Sequence, residues 1–280
     1  MLPAPVADRV AAYLRGLDRV APGWVEGAYV VGSTALGAWL PDRSDIDLFV
    51  LVDRAPTAIE LAGLRRQHRR SYWPAALGAL ARGRYPLVCN VCVLRWSDLA
   101  LAPADVVPIA SHVSQRFRVG EGFDVNPVGY LVLAIHGVAV RGPAVDRLTV
   151  HHDPVALHRW NLANLDRYWA RWAHDVRHHP IHTIRARWAV QYGPPWGVLG
   201  APRSHATCAT GEVLSKAEAG AYAREAFGPE WHPTIDAALA AWLGGGRSFR
   251  RFSAAEVARA AEFVDVVVAS AHGLAEPQPS

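Results

Sequence analysis

The chain has 280 residues, 51% of them hydrophobic, with three cysteines, a formal net charge of +4 and a pI near 9.2. That is enough apolar content for two modest cores, and it excludes a membrane protein, since the longest apolar run, "VGYLVLAIHGVAV", has 13 residues and contains His136. "MLPAPVADRVAAYLRGL" carries an early Asp and Arg and no long apolar h-region, so it does not read as a signal peptide; an odd number of cysteines then implies reduced thiols and a cytoplasmic home.

A first helix is expected from Ala4 to about Leu17, ahead of the strand "GAYVV". Gly32 and Ser33 end that strand and open a candidate helix, "TALGAWL", whose N-terminal N–H groups suit an anion. Eleven residues later, Asp45 and Asp47 stand at the head of the strand "DIDLFVLV". Side chains alternate along a strand, so the two carboxylates share a face while Ile46, Leu48 and Val50 supply apolar content. Two like charges that close repel, and a divalent cation removes the problem; hard oxygen ligands in this arrangement suit Mg²⁺ bound jointly with substrate phosphates. Taken singly, Gly32 is a tight turn, Ser33 an N-cap and the aspartates solvated strand-end charges. In this order they set a phosphate cradle beside a metal cradle, the two parts needed to hold a nucleoside triphosphate for in-line attack.

A long arginine-rich helix from about Thr57 to Arg82 follows, then the strand "PLVCNVCVL". On that strand Cys89 and Cys92 fall on opposite faces and read as buried thiols. The net charge and basic pI permit nucleic-acid binding without requiring it, but Arg65, Arg66, Arg69 and Arg70 form one solvated helix face, so nucleic acid is not the expected partner. After "GEGFDVNP" the signals turn helical, with Asp124 as N-cap to "PVGYLVLAIHGVAV", Asp153-Pro154 opening another helix, and capping boxes at Ser215 with Glu218 and at Ser253 with Glu256. There is no internal repeat, and only the tail "AEPQPS" reads as disordered.

The segment from "GSTALGAWLPDR" through "SDIDLFV" resembles the signature of the polymerase-β-like nucleotidyltransferases, and is most similar to the aminoglycoside adenylyltransferases that modify streptomycin and spectinomycin. Far downstream, "RSHATCATGEVLSKAEAGAYA" resembles that family's helical C-terminal domain. The resemblance implies an α/β (α+β) nucleotidyltransferase domain with a mixed sheet over residues 1–122 and an all-α domain over 123–280. It further implies ATP as co-substrate, Mg²⁺ on Asp45 and Asp47, and transfer of AMP to a small molecule by a cytoplasmic monomer, in antibiotic resistance or natural-product biosynthesis. Gly32, Ser33, Ser44, Arg203 and Lys216 would bind the nucleotide, the last two reaching its phosphates from the helical domain across an interdomain cleft. Lys216 follows the Ser215 cap, where the helix dipole disfavours a cation unless an anion is present.

Two features depart from the family. A glutamate on the strand after the long helix takes the acceptor's proton in the streptomycin-type enzymes; aligning "LVCNVCVL" puts Asn90 there, and an amide cannot accept a proton at neutral pH. Another residue such as Asp98 or His112 serves as base, or the acceptor is already anionic, or nucleotide is bound without transfer. The family also holds its cationic antibiotics with acids upstream of the arginine matching Arg203, whereas "RARWAVQYGPPWGVLGAPR" has none. Arg185, Arg187, Trp188 and Trp196 suit a neutral, aromatic or anionic acceptor better than a polycation, with Trp196 and Trp242 lining the site and Asn90 facing the acceptor. A protein-adenylylating enzyme stays open as an alternative. The clusters His151-His152 and His178-His179 with His182 lack a completing ligand and read as solvated, and Trp169 and Trp172, three apart, as core.

Overall fold

The computed structural model describes residues 1–82, 84–178, 193–244 and 252–278. These divide into two compact units, Met1–His152 and Asp153–Ser280.

In the first unit, helix α1 (Ala4–Val20) leads to β1 (Gly27–Val31), the short helix α2 (Gly32–Ala35), β2 (Ile46–Val52), the long helix α3 (Ala58–Ala81) and β3 (Cys89–Arg95). Strands β4 (Ala110–Val113) and β5 (Arg116–Val119), helix α4 (Pro127–His136) and β6 (Val138–Arg141) complete it. The strands form one mixed sheet in the order β5-β4-β3-β2-β1-β6. Only β2 and β3 run parallel, joined by α3 as the crossover; every other neighbouring pair is antiparallel. Alternation along β2 decides what each face carries. Ile46, Leu48, Val50 and Val52 enter a core with Val6, Val10, Leu14 and Leu17 of α1, Leu64 of α3 and Cys89, Val91 and Val93 of β3. Asp47, Phe49 and Leu51 therefore point to the opposite face, where Phe49 meets Tyr130 of α4 edge to face at 6.2 Å.

Helix α3 carries a capping box, the Thr57 hydroxyl accepting from the Glu60 N–H and the Glu60 carboxylate from the Thr57 N–H. Three expectations change. The "TALGAWL" helix is only Gly32–Ala35, because Gly37 takes φ +68 and ends it. The helix expected through "PVGYLVLAIHGVAV" stops at His136, and Val138–Arg141 becomes β6, pairing with β1; its β-branched valines fit a pleated edge. That pairing binds the segment after residue 122 to the first sheet, so the division falls after His152 and not at 122/123.

The second unit is helical: α5 (Pro154–Asn164), a π turn over Leu165–Trp169, α6 (Ala170–His178), α7 (Pro194–Thr210), α8 (Lys216–Ala226), α9 (His232–Leu243) and α10 (Ala254–Ala271). Asp153, Ser215 and Ser253 cap their helices as the sequence indicates, the two serines within full capping boxes. Trp169 and Trp172 are buried. No helix among the described residues is long and apolar enough to cross a membrane.

Candidate nucleotide and metal site

Strand β1 pairs Val31 with Asp47 of β2, so the turn after β1 lies against that aspartate. Gly32 holds φ +62, and a Cβ there would stand 2.2 Å from Asp47 Oδ2. The glycine serves two needs at once, a left-handed backbone and space for the carboxylate. Asp47 in turn lies opposite Asn90 in the parallel β2–β3 register. The buried Asn90 donates from Nδ2 to Asp45 Oδ2 at 2.6 Å and to Asp47 Oδ1 at 3.2 Å, while its Oδ1 accepts the Ser114 N–H at 3.0 Å. Asp45, Asp47 and Asn90 thus converge on one place, on the sheet face away from α1 and α3. Two half-buried carboxylates with hard oxygen donors fit a divalent cation, and the buried amide braced between them accounts for how two like charges are tolerated.

Ser33 sits in the turn, its carbonyl accepting the Ala38 N–H at 2.8 Å. Ser44 is buried and closes the loop before Asp45: its Oγ accepts the Leu40 N–H at 3.1 Å and its N–H donates to the Leu40 carbonyl at 3.0 Å. Ser44 therefore closes the 40–44 turn that leads directly into Asp45.

Neither alternative base from the sequence faces this place. His112 pairs with Val91 and points to the helix side, bonded to the Tyr13 hydroxyl, with its ring tilted against that of His68 at a centroid distance of 4.1 Å. Asp98 lies beyond the far end of β3, its carboxylate accepting the Arg95 N–H at 2.8 Å. The carboxylate that does sense the pair is Asp124. Burial, and then the Asp45 charge, push its carboxyl up to about 7. The sequence suggests it as the cap of α4, but Asn126 holds that position and its side chain accepts the Gly129 N–H at 2.9 Å. Asn-Pro, an N-cap followed by proline at the first helical position, was the signal that released Asp124 from the role. Cys92, on the Asn90 face, has its thiol raised by burial and then by Asp124; Cys89 is pushed up to about 12 by burial, so both cysteines are inert structural thiols.

In the second unit, Lys216 is the first residue of α8 after its Ser215 cap. Its ammonium lies 3.8 Å from the ring centroid of Trp242 and 4.6 Å from that of Trp196, a cation held between two indoles. Trp196 is oriented by its Nε1 donating to Tyr168 Oη at 2.9 Å. Arg203 on α7 donates from Nε to the Leu214 carbonyl at 2.7 Å, fixing the segment that ends in the cap. The helical unit thus sets Lys216 between Trp196 and Trp242, with Arg203 bonded to the backbone just before its cap. The sandwich around Lys216 was not foreseen, because residues 196 and 242 meet residue 216 only through tertiary packing. His179, His182, Arg185, Arg187 and Trp188 lie outside the described residues; among the described ones, no group of three or more His, Cys, Asp or Glu could hold a metal. Arg65, Arg66, Arg69 and Arg70 are exposed on α3.

Residues 13–80 match the model of the nucleotidyltransferase domain, and residues 179–269 that of the aminoglycoside adenylyltransferase C-terminal domain. No curated protein matches the chain. Among solved structures, the spectinomycin adenyltransferase AAD(9) from Enterococcus faecialis, determined with ATP and spectinomycin, has 14% sequence identity and a TM-score of 0.64, covering 94% of this chain and 98% of its own. At that identity the likeness concerns the fold, a mixed-sheet domain followed by a helical one.

Proposed function

From a chain that carries a nucleotidyltransferase domain followed by an aminoglycoside adenylyltransferase C-terminal domain, we propose that it is an ATP- and Mg²⁺-dependent adenylyltransferase acting in the cytoplasm on a small-molecule acceptor. The observation that carries the reading is the convergence of Asp45 and Asp47 on the Asn90 amide, with Asp47 against the Gly32 turn. Asp45 and Asp47 would hold the cation, which when bound neutralises phosphate charge. The Gly32-Ser33 turn contributes backbone N–H groups to the phosphates, and Ser44 closes the turn that leads into Asp45. Arg203 and Lys216 are the proposed phosphate ligands of the helical unit; Lys216, set between indole faces, would exchange part of that cation–π contact for phosphate oxygens.

In the transfer, the acceptor oxygen attacks the α-phosphorus, the bond to the β-phosphate bridging oxygen breaks, and pyrophosphate leaves. The acceptor proton goes to a carboxylate, and Asp124, whose carboxyl burial and then the Asp45 charge raise to about 7, is suited to take it. The acid-free stretch before Arg203 favours a neutral, aromatic or anionic acceptor over a polycation. A second reading, nucleotide binding without transfer, is favoured by the amide of Asn90 where the related enzymes carry a carboxylate. Pyrophosphate release with ATP and Mg²⁺, measured over spectinomycin, streptomycin and a panel of neutral and anionic hydroxyl compounds, separates the two. Release with at least one acceptor, lost in Asp124→Asn, is expected. Tight ATP binding with no release from any acceptor would leave the non-catalytic reading standing.

A further inference from the structure

The Asn90 amide is fixed in one orientation. Its Oδ1 accepts the N–H of Ser114, and Ser114 is held at φ +53 in the turn between β4 and β5, a conformation uncommon for a residue with a side chain. Turned over, the amide would aim its NH₂ at the Ser114 N–H and its oxygen at two carboxylates. Three hydrogen bonds would be lost and like partners opposed, so the NH₂ must face Asp45 and Asp47.

That orientation limits what else the carboxylates can hold. A small cation coordinated by Asp45 Oδ2 and Asp47 Oδ1 needs distances of about 2.1 Å to both. The Asn90 nitrogen already stands 2.6 Å and 3.2 Å from those same two oxygens, so on the Asn90 side of the pair such a cation would fall where the amide hydrogens lie, and the far side is left for one cation. A carboxylate at this position would be a third ligand and would draw a second cation into the same space, as in sites where two metals clamp the attacking and leaving oxygens. The amide instead offers two weakly positive hydrogens, a neutral substitute for that second charge.

We propose that Asn90 is a positioning residue that makes this a one-cation site: its NH₂ fills the place beside Asp45 and Asp47 that a second divalent ion would take, leaving a single cation to enter with the nucleotide. The inference rests on the adenylyltransferase reading and deepens it. With one negative charge fewer than a three-carboxylate site, the centre also repels an anionic acceptor less.

The test counts metal ions without requiring turnover. Mn²⁺ is titrated into the full-length protein saturated with α,β-methylene ATP, and free Mn²⁺ is read by electron paramagnetic resonance. Wild type is expected to take one Mn²⁺ per bound analogue, and Asn90→Asp two. Asn90→Glu serves as the second variant should the aspartate not fold, and circular dichroism checks both. Two Mn²⁺ per analogue in wild type would overturn the inference, as would one in a folded Asn90→Asp or Asn90→Glu. If wild type binds the analogue with one Mn²⁺ but Asp45→Asn does so equally well, the aspartates are not the cation's ligands and the adenylyltransferase reading fails first, taking this inference with it.

Discussion

Gly32→Ala perturbs the site at the point where backbone and carboxylate meet. Residue 32 has φ +62, and an added Cβ would lie 2.2 Å from Asp47 Oδ2 and 3.1 Å from its Cγ. Left-handed backbone costs an L-residue about 1–2 kcal/mol. The contact is about 1 Å inside van der Waals distance, so Asp47 must swing away or the turn must open. Together these effects cost on the order of 2 kcal/mol, a fall in melting temperature of about 4–8 °C for a protein of this size. The larger effect falls on function, since a displacement of about 1 Å in a positioned group is worth about 10²-fold. Gly37→Ala is the control: its φ is +68, yet nothing lies within 4 Å of its added Cβ. It should show the backbone strain alone, with nucleotide affinity unchanged. Calorimetric titration of Mg²⁺-ATP and thermal melts of both variants make the comparison. Equal nucleotide affinity in Gly32→Ala and Gly37→Ala would refute the placement of Asp47 as a nucleotide-site residue.

Asp45→Asn and Asp47→Asn should abolish Mg²⁺-dependent nucleotide binding while the metal-free proteins melt no lower than wild type, because one of two mutually repelling charges is gone; unchanged affinity in both, by calorimetry, contradicts this. Lys216→Ala should weaken ATP by about tenfold or more while AMP binding changes little, and it should also lower the melting temperature by a few degrees through the lost contacts with Trp196 and Trp242; equal losses for ATP and AMP would place Lys216 away from the triphosphate. Stability should fall on acidification through a buried pair of imidazoles. Burial holds His68 down at about 4, and burial and then His68 hold His112 well below its usual range. A histidine pKa depressed by folding contributes fully above the unfolded value of about 6.5 and is lost as pH falls toward 4. His68→Gln should flatten that slope by on the order of 2 kcal/mol between pH 7 and 4, read by urea denaturation; an unchanged slope would show that His68 does not titrate there.

What the sequence discloses here is local. The alternation that puts Asp45 and Asp47 on one face, the glycine at the β1 turn and the Ser-x-x-Glu boxes at Ser215 and Ser253 each act within a few residues, and each appears in the structure as read. What it hides depends on distant pairing. Val138–Arg141 is apolar enough to extend α4 by periodicity, and only β1, more than a hundred residues earlier, makes it a strand. The chain's division moved with it. Asp124 and Asn126 are both good cap residues, and Pro127 after Asn126 is the local mark of the true cap; what no local pattern shows is that Asp124 then faces Cys92 and Asp45. Asn90 was legible as a missing carboxylate but not as a brace, since its partners include Ser114 on a hairpin that no short-range pattern aims at it.

The central claim is that this chain moves AMP. Incubating it with ATP labelled at the α-phosphate, Mg²⁺ and the acceptor panel, and separating the products, tests that claim directly. The account predicts that label appears on at least one small-molecule acceptor with equimolar release of pyrophosphate, and that Asp45→Asn and Asp47→Asn give none. Pyrophosphate release and acceptor labelling that persist in both variants, or nucleotide binding with no labelled product from any acceptor, would contradict it.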